Sequence, residues 1–100
     1  MSRPTKTLGS DFPIFDGNEA LNWVVLMTSS VADARVKNIA PGARYTFVFI
    51  QNAVGGHTFQ WPSNCLNPPP INIDPNGKTA ALFIGTSEGN IAGNSPAIWT

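Results

Sequence analysis

The sequence predicts an all-β fold, a small antiparallel sandwich or barrel of short strands. Segments rich in β-branched and aromatic residues alternate with turn-forming residues at a spacing of about ten residues. No segment has the length and periodicity of a long helix, and no unit repeats at a fixed period. The 100 residues suffice for one domain with one modest core. Mean strand length predicts roughly seven to nine strands.

Residues 1–20 differ from the rest of the chain. They mix glycine, proline, serine and threonine with isolated aromatic residues and show no periodicity. This pattern predicts an extended N-terminal arm, with residues 21–100 forming the sandwich domain. A disordered terminus is the alternative. Phe12, Ile14 and Phe15 favour a docked arm, because a free tail gains nothing from large apolar side chains.

The first predicted strand of the domain covers residues 21–28, which are rich in β-branched and aromatic side chains. An amphipathic helix over residues 19–27 is the alternative, because periodicity alone does not identify so short an apolar run. Residues 34–39 form a weaker strand that ends before Pro41 and Gly42. Proline presets φ at the first corner of a type II turn, and glycine accepts the positive φ at the second.

Residues 44–51 form the clearest predicted strand, since apolar side chains alternate toward both of its faces. One face carries Tyr45, Phe47 and Phe49. The other face carries Thr46, Val48 and Ile50. Because a domain of this size has room for one core, one face packs inside and the other must contact a second layer or another subunit.

A β-hairpin is predicted next, with residues 57–61 returning along residues 45–50 after a turn at Gly55 and Gly56. Pro62 ends this return strand because it has no N–H to donate. The remaining predicted elements follow in order: a rigid crossover over 63–70, a strand over 71–73, a type I turn over 74–77, a strand over 78–86, a loop over 85–96 and a final strand over 97–100.

Composition argues against catalysis and against binding of nucleic acid. Charged residues are 12% of the chain, and six basic and six acidic side chains cancel. No net field therefore attracts nucleic acid or an anionic membrane. The single histidine, His57, has no catalytic partner in the sequence, and the single cysteine, Cys65, cannot form an intrachain disulfide. We predict that the protein is not an enzyme and binds no metal or cofactor.

The sequence pattern predicts neither a secretory signal nor a membrane helix. No apolar segment follows the basic residues at the N-terminus. The longest apolar run, residues 23–27, is far shorter than the roughly 20 residues of a membrane span. We therefore expect a soluble protein that is made in a cytoplasm and has no membrane partner.

Residues 41–62 carry a motif: G-A-R-Y, an apolar strand, Q-N-A-V-G-G, then T-F-Q-W-P. This segment, and more loosely residues 63–100, resembles the small β-sandwich head modules of tailed-bacteriophage virion proteins of the capsid-decoration, head-fibre and tail-fibre types. Residues 64–70 depart from the family pattern, in which a second tryptophan and a glycine-rich turn often follow. The resemblance implies a jelly-roll or tulip-like sandwich that assembles as a homotrimer.

The resemblance also implies a function, namely a structural virion protein on the capsid surface that decorates or cements the capsid and is made in the host cytoplasm. Its partners would be further copies of itself and the major capsid protein or another virion protein. A trimer with three arms would bridge lattice subunits, and linking weak contacts raises avidity by ~10²–10⁴. The expected capsid contacts lie in the arm: Arg3, Lys6, Phe12, Ile14 and Phe15.

The aromatic residues of the domain have more than one interpretation. The candidate contacts of the oligomer interface are Tyr45, Phe47, Phe49, Trp61 and Trp99, and the same rings would also suit the core. Exposed rings could instead stack on sugars, as in a receptor- or glycan-binding tip of a phage fibre, with loops at residues 64–70 and 88–95 holding the glycan. The chain shows no coiled-coil or collagen-like shaft, which favours the decoration protein over the fibre tip.

Overall fold

The computed structural model describes residues 5–87, 90–93 and 98–99. Over these residues the chain forms nine strands and no helix, so the all-β prediction is confirmed. The strands are β1 (Thr5–Gly9), β2 (Ile14–Asp16), β3 (Asn22–Met27), β4 (Arg35–Lys37), β5 (Arg44–Gln51), β6 (Cys65–Leu66), β7 (Lys78–Ser87), β8 (Asn90–Gly93) and β9 (Ile98–Trp99).

Seven strands form one main sheet in the order β1-β3-β5-β7-β8-β6, with β9 also paired to β7. The other two strands, β2 and β4, form a small parallel sheet. In the main sheet β5 pairs antiparallel with β7, and β7 pairs antiparallel with β8 and β9. By contrast β1, β3 and β5 run parallel, as do β6 and β8. The predicted antiparallel pairing is therefore confirmed around β7 and wrong for the remaining pairs, which are parallel.

The parallel strands arise because the chain coils. It leaves the main sheet after β1, passes through β2 and returns to the main sheet as β3, then repeats this course through β4 to β5. A parallel bridge between Val31 and Phe59 continues the second layer beyond β4. Parallel neighbours require such crossover connections, whereas a hairpin turn can join only antiparallel strands. Jelly rolls are built from antiparallel Greek keys, so these pairs do not follow that pattern.

Residues 5–20, predicted as an extended arm for which docking is favoured, contribute strands to both sheets, and residues 1–4 lie outside the described part of the chain. Strand β1 is the edge strand of the main sheet, and β2 belongs to the small sheet. The Phe15 side chain is 0% exposed. Its ring packs edge-on against Trp23 at 5.5 Å and against Phe47 at 4.9 Å between ring centroids. Burial of this ring ties the segment to the body of the protein.

The predicted hairpin between residues 45–50 and 57–61 is also wrong, since β5 pairs with β3 and β7 instead. The Gln51 side chain explains the different course. Its Nε2 donates to the His57 carbonyl at 2.8 Å, and its Oε1 accepts from the His57 N–H at 3.2 Å. These side-chain bonds satisfy the backbone N–H and carbonyl of His57 in place of bonds to a neighbouring strand. The chain then crosses to the second layer, where Phe59 forms a β-bridge with Val31.

The turns agree with the sequence in part. Gly42 has a φ of 81°, and the Ala43 N–H donates to the Ala40 carbonyl at 3.2 Å, which confirms the type II turn. The turn at residues 74–77 closes from Gly77 N–H to the Asp74 carbonyl at 2.8 Å. Because Asn76 has a φ of 57°, this turn is not of type I, where φ at that corner is about −90°.

Strand positions were predicted better than strand partners. Strand β5 has the predicted bounds, β3 confirms a strand rather than a helix at its position, and β9 lies within the final strand predicted. No strand is assigned over residues 71–73, and β8 occupies part of the segment predicted as a loop.

The core lies between the inner face of the main sheet and the second layer. On β3, β5 and β7 the buried residues alternate along each strand, as expected for a sheet with one covered face. Rings dominate this core: Phe15, Trp23, Tyr45, Phe47, Phe49, Phe59 and Phe83, with Trp61 packed against them. The Tyr45 hydroxyl oxygen also accepts the Ala40 N–H at 2.9 Å, which fixes the chain before β5.

Candidate interaction surfaces

The residues predicted to contact a capsid are only partly brought together. Lys6, Phe12 and Ile14 line one cleft of about 310 Å³. Phe15 lies in the core, where it is 0% exposed, so its ring is not a surface contact. Arg3 lies outside the described residues. The three gathered residues come from β1, β2 and the loop between them, so their placement depends on folding of the segment predicted as an arm.

Phe12 has the most unusual geometry of these residues. Its backbone φ is +50°, in the left-handed region where bulky residues are rare. Its ring is 46% exposed, and the Arg35 guanidinium carbon lies 5.7 Å from the ring centroid. A non-glycine residue in this region costs about 1–3 kcal/mol, and such strain is concentrated at functional sites.

Phe12 stands between two clefts of different character. The first is also lined by Leu8, Glu19 and Lys37, and within it Lys6 Nζ lies 3.0 Å from Glu19 Oε2. The second, of about 450 Å³, is polar. Its polar side chains are Ser10, Asp11, Thr28, Ser29, Ser30 and Asp33. The Ser10 hydroxyl forms hydrogen bonds with the hydroxyls of Thr28, at 2.9 Å, and Ser29, at 3.0 Å, and these bonds join the loops that form this polar cleft.

A second exposed apolar feature lies in the loop after β5. Val54 is 77% exposed, the most exposed of the large hydrophobic residues described. The Asn52 Oδ1 atom accepts hydrogen bonds from the N–H groups of Val54 and Gly55, both at 3.1 Å, and lies 3.1 Å from His57 Nε2. A single side-chain oxygen therefore organises the whole loop.

These loops share one end of the main sheet. Because β1, β3 and β5 are parallel, the loops that follow them lie at the same end of the sheet. The turn before β7 lies at that end too, because β7 is antiparallel to β5. We call this region the loop end and define it as residues 10–13, 28–30, 52–58 and 73–77. Hydrogen bonds connect its parts, for example from the Thr58 N–H to Ser30 Oγ at 2.9 Å and from the Asn76 N–H to the Asn52 carbonyl at 2.8 Å.

The outer face of the main sheet forms a broad apolar surface. Register places Val24, Val48 and Ala80 side by side across three strands, with Leu26 and Ile50 beside them. We define the outer face as Val24, Leu26, Thr46, Val48, Ile50, Ala80, Leu82 and Ile84. All are half-buried except Leu26, which is 44% exposed. Two charged residues, Arg44 and Lys78, share this face at its ends.

The residues predicted for an oligomer interface mostly lie elsewhere. Tyr45, Phe47 and Phe49 are at most 1% exposed in the core, so they are unavailable to a second chain. Trp61 is half-buried against the core, and its Nε1 donates to the Pro69 carbonyl at 3.0 Å. Trp99 pairs with Thr79 through its backbone. The available face of β5 is the opposite one, because an alternating strand that buries its rings presents Thr46, Val48 and Ile50 outward.

Few of the described side chains are arranged for catalysis or for metal binding. Burial raises the pKa of the Cys65 thiol to about 12, which disfavours the nucleophilic thiolate. A hydrogen bond from the Asn38 side chain, followed by one from the Asn18 backbone, lowers the pKa of Asp16. The part of the chain that the structure describes has no group of three or more histidine, cysteine or acidic residues placed to hold a metal ion. Over the same part, no helix could cross a membrane.

Sequence reasoning did not single out Val54, Ile73 or the outer residues of β3 as contacts, whereas it did place one face of residues 80–84, now on β7, near a subunit interface. The Gly55-Gly56 pair indicated a turn, and both glycines have positive φ, of 70° and 74°. Nothing in the local pattern indicates that this turn meets residues 73–77, because that contact follows from the parallel course of the strands. No family model, no curated protein and no solved structure matches this chain.

Proposed function

We propose that the protein is a structural protein of a tailed-phage virion, a non-enzymatic capsid decoration protein that acts as a homotrimer on the capsid surface. The outer face of the main sheet is the observation that carries the proposal. The motif in residues 41–62 supplies the link to virion proteins. A small β-sandwich is part of the proposal, and packing of β2 over the inner face of the main sheet supports it.

The outer face supports self-association because aliphatic side chains of three neighbouring strands form one surface on a chain with few charges. A contiguous apolar patch of more than a few hundred Å² is uncommon on a monomer and marks interaction sites. The chain has no net charge, so no long-range repulsion opposes association of identical copies. A trimer would present each further contact surface three times, which is what a protein that links lattice subunits requires.

Sedimentation equilibrium on the full chain, with a charge placed in the outer face, tests the oligomer. Val48→Lys should convert a trimer into monomers, because a buried unpaired ammonium group is strongly unfavourable at an interface. Ala32→Lys is the matched control, since Ala32 is exposed on a loop away from this face, and this variant should remain trimeric. A wild-type protein that stays monomeric at micromolar concentration would contradict the trimer.

The capsid role is tested by adding the purified protein to capsids of its phage that were prepared without it. Saturable binding and density on the capsid surface by cryo-electron microscopy are the expected results. Failure of the wild-type protein to bind such capsids would refute the decoration function.

Glycan binding, as by a fibre tip, is the second candidate function, and the polar cleft beside Phe12 favours it. Hydroxyl and carboxylate groups next to an exposed ring are the groups that hold sugars in binding sites. A glycan array with wild-type protein, Phe12→Ala and the control Gln60→Ala, an exposed residue that lines neither cleft, tests this function. Binding that Phe12→Ala alone abolishes would support it, and an array without any binding would oppose it.

A further inference from the structure

We infer that the loop end is the surface that contacts the capsid lattice, with Val54 inserted into an apolar pocket of the lattice protein. This inference rests on the proposed decoration function and specifies its contact. The first observation is the distribution of exposed apolar side chains. Five large hydrophobic residues are exposed in the described part of the chain: Phe12, Leu26, Val54, Leu66 and Ile73.

All but one of these side chains lie on or beside the loop end. Phe12, Val54 and Ile73 belong to its loops, and Leu26 is the second-last residue of β3, next to Ile50 on β5. Leu66 is the exception. It lies on β6, which is the strand farthest from β1 in the main sheet. Scattered exposed hydrophobic residues need no explanation, but a cluster at one end of a molecule marks an interaction surface.

Val54 stands out because its loop is held in one conformation. Besides the bonds to Asn52, the Gly56 N–H donates to the Ile73 carbonyl at 2.7 Å, and the Gln51 side chain holds both polar backbone groups of His57. Gly55 packs so closely that a Cβ atom there would lie 2.6 Å from the Pro75 nitrogen. The loop therefore rests directly on the turn at residues 74–77.

A rigid loop lowers the entropy that binding must overcome. An exposed side chain on a flexible loop loses conformational freedom when it binds, and this loss reduces affinity. Here the backbone around Val54 is already ordered by hydrogen bonds on both sides. Interface anchors are typically a few well-ordered side chains that fill pockets on the partner. Val54 meets this description with a small branched side chain on a hydrogen-bonded backbone.

The chemistry of the loop favours a protein pocket over a membrane. The N–H groups of Val54, Gly55 and Gly56 already have acceptors within the chain, so these three donors are not available to lipid headgroups. Asp74 is the one charged residue in residues 52–58 and 73–77 when histidine is neutral. Its carboxylate would be repelled by anionic lipids, whereas membrane-surface segments combine basic residues with larger apolar faces.

Binding of full-length variants to capsids prepared without the protein tests this contact. Val54→Asp should weaken binding more than about tenfold, because it places a charge in an apolar pocket. Leu66→Asp is the matched control, an exposed aliphatic residue on the remote strand, and its affinity should equal that of the wild type. Asn52→Ala, which removes the acceptor that orders the loop, should weaken binding to an intermediate degree. Circular dichroism and sedimentation establish that each variant is folded and trimeric.

The outcomes separate the contact from the function. Equal binding by wild type and Val54→Asp overturns the Val54 contact and leaves the decoration function standing. If the wild type does not bind, the decoration function fails and the inference falls with it. The same proteins are mixed with phosphatidylserine vesicles, to which none should bind. Vesicle binding that Val54→Asp abolishes would overturn the protein pocket in favour of a membrane.

Discussion

The two faces of the main sheet differ in how completely they are covered, although the same strands supply both. On β5 the inner rings of Phe47 and Phe49 are 0% exposed, whereas the outer side chains of Val48 and Ile50 are half-buried. The small sheet and residues 59–61 cover the inner face. The aliphatic residues of the outer face remain partly exposed, and Leu26 is 44% exposed. One strand therefore supplies the core on one side and a partly exposed aliphatic surface on the other.

The largest expected effect comes from truncating neighbours on opposite faces of β5. Phe47→Ala should lower the free energy of unfolding by about 3–5 kcal/mol, because it leaves a cavity among Phe15, Trp23 and Phe83. Val48→Ala should lower it by less than about 1 kcal/mol in the monomer, since its side chain is only half-buried. Urea denaturation of both variants under monomeric conditions measures the difference. Equal effects would mean that the two faces do not differ as described.

Glycine substitutions compare the two faces at the level of the backbone. A Cβ atom at Gly85, on the inner face, would overlap the Ala40 carbonyl oxygen, whereas one at Gly9, on the outer face, would meet no atom within 4 Å. Gly85→Ala should therefore destabilise the fold by about 1–3 kcal/mol through overpacking. Gly9→Ala should be neutral or stabilise it by up to about 1 kcal/mol, because it restricts the unfolded chain.

Thermal unfolding of these two variants provides the measurement. A Gly85→Ala variant as stable as the wild type would show that the backbone before β5 is free to move away from β7. A clearly destabilised Gly9→Ala variant would indicate that the outer side of β1 is covered by another part of the chain.

The sequence predicts the strands better than their partners, and β5 shows why. Its alternation of rings and aliphatic residues identifies the strand and both of its faces, because side chains in a strand repeat every second residue. Alternation carries no information on the neighbouring strand. Gly55 and Gly56 favour a hairpin, yet the Gln51 side chain bonds both polar backbone groups of His57, and the chain crosses to the second layer.

The coiled course of the N-terminal half was not predictable from a repeat. Thr5 pairs with Asn22, and Asn22 pairs with Thr46, so successive turns of the coil differ in length. A solenoid is recognised by a fixed period, and unequal turns erase that signal. The candidate site has the same limitation. Phe12 attracts notice as an isolated aromatic residue, but its placement at the same end of the sheet as Val54 depends on the parallel pairing.

A smaller effect is expected from the two core tryptophans, which differ in the hydrogen bonding of their indoles. Trp23 Nε1 is buried without a partner, whereas Trp61 Nε1 donates to the Pro69 carbonyl at 3.0 Å. An unpaired buried N–H costs about 1–3 kcal/mol, so its removal offsets much of the lost packing. Trp23→Phe should therefore change stability by less than about 1 kcal/mol, and Trp61→Phe should be the more destabilising. Urea denaturation compares the two, and the reverse order would contradict the assignment of the unpaired indole.

The smallest effect concerns Asp16, which ends β2 in the sheet that covers the inner face. Its Oδ1 accepts hydrogen bonds from Asn38 Nδ2 at 2.8 Å and from the Asn18 N–H at 2.9 Å, and the bond from Asn38 is the main reason that its pKa lies below the ordinary 3.8. A pKa that is lower in the folded state means that the charged form stabilises the fold. This contribution is complete above about pH 5 and is lost as the pH falls through the lowered value.

Asp16→Asn should therefore reduce stability at pH 7 and reduce it less at pH 3, where the wild-type carboxyl is becoming protonated. Asn38→Ala provides the test of cause. In that background the pKa of Asp16 should return toward 3.8, which NMR titration of the carboxyl measures directly, and Asp16→Asn should have a smaller effect at pH 7. The stability difference between wild type and Asp16→Asn could instead be the same at pH 7 and pH 3. In that case the carboxylate does not hold β2 against β4. The contacts of the Phe15 ring would then anchor the covering layer without it.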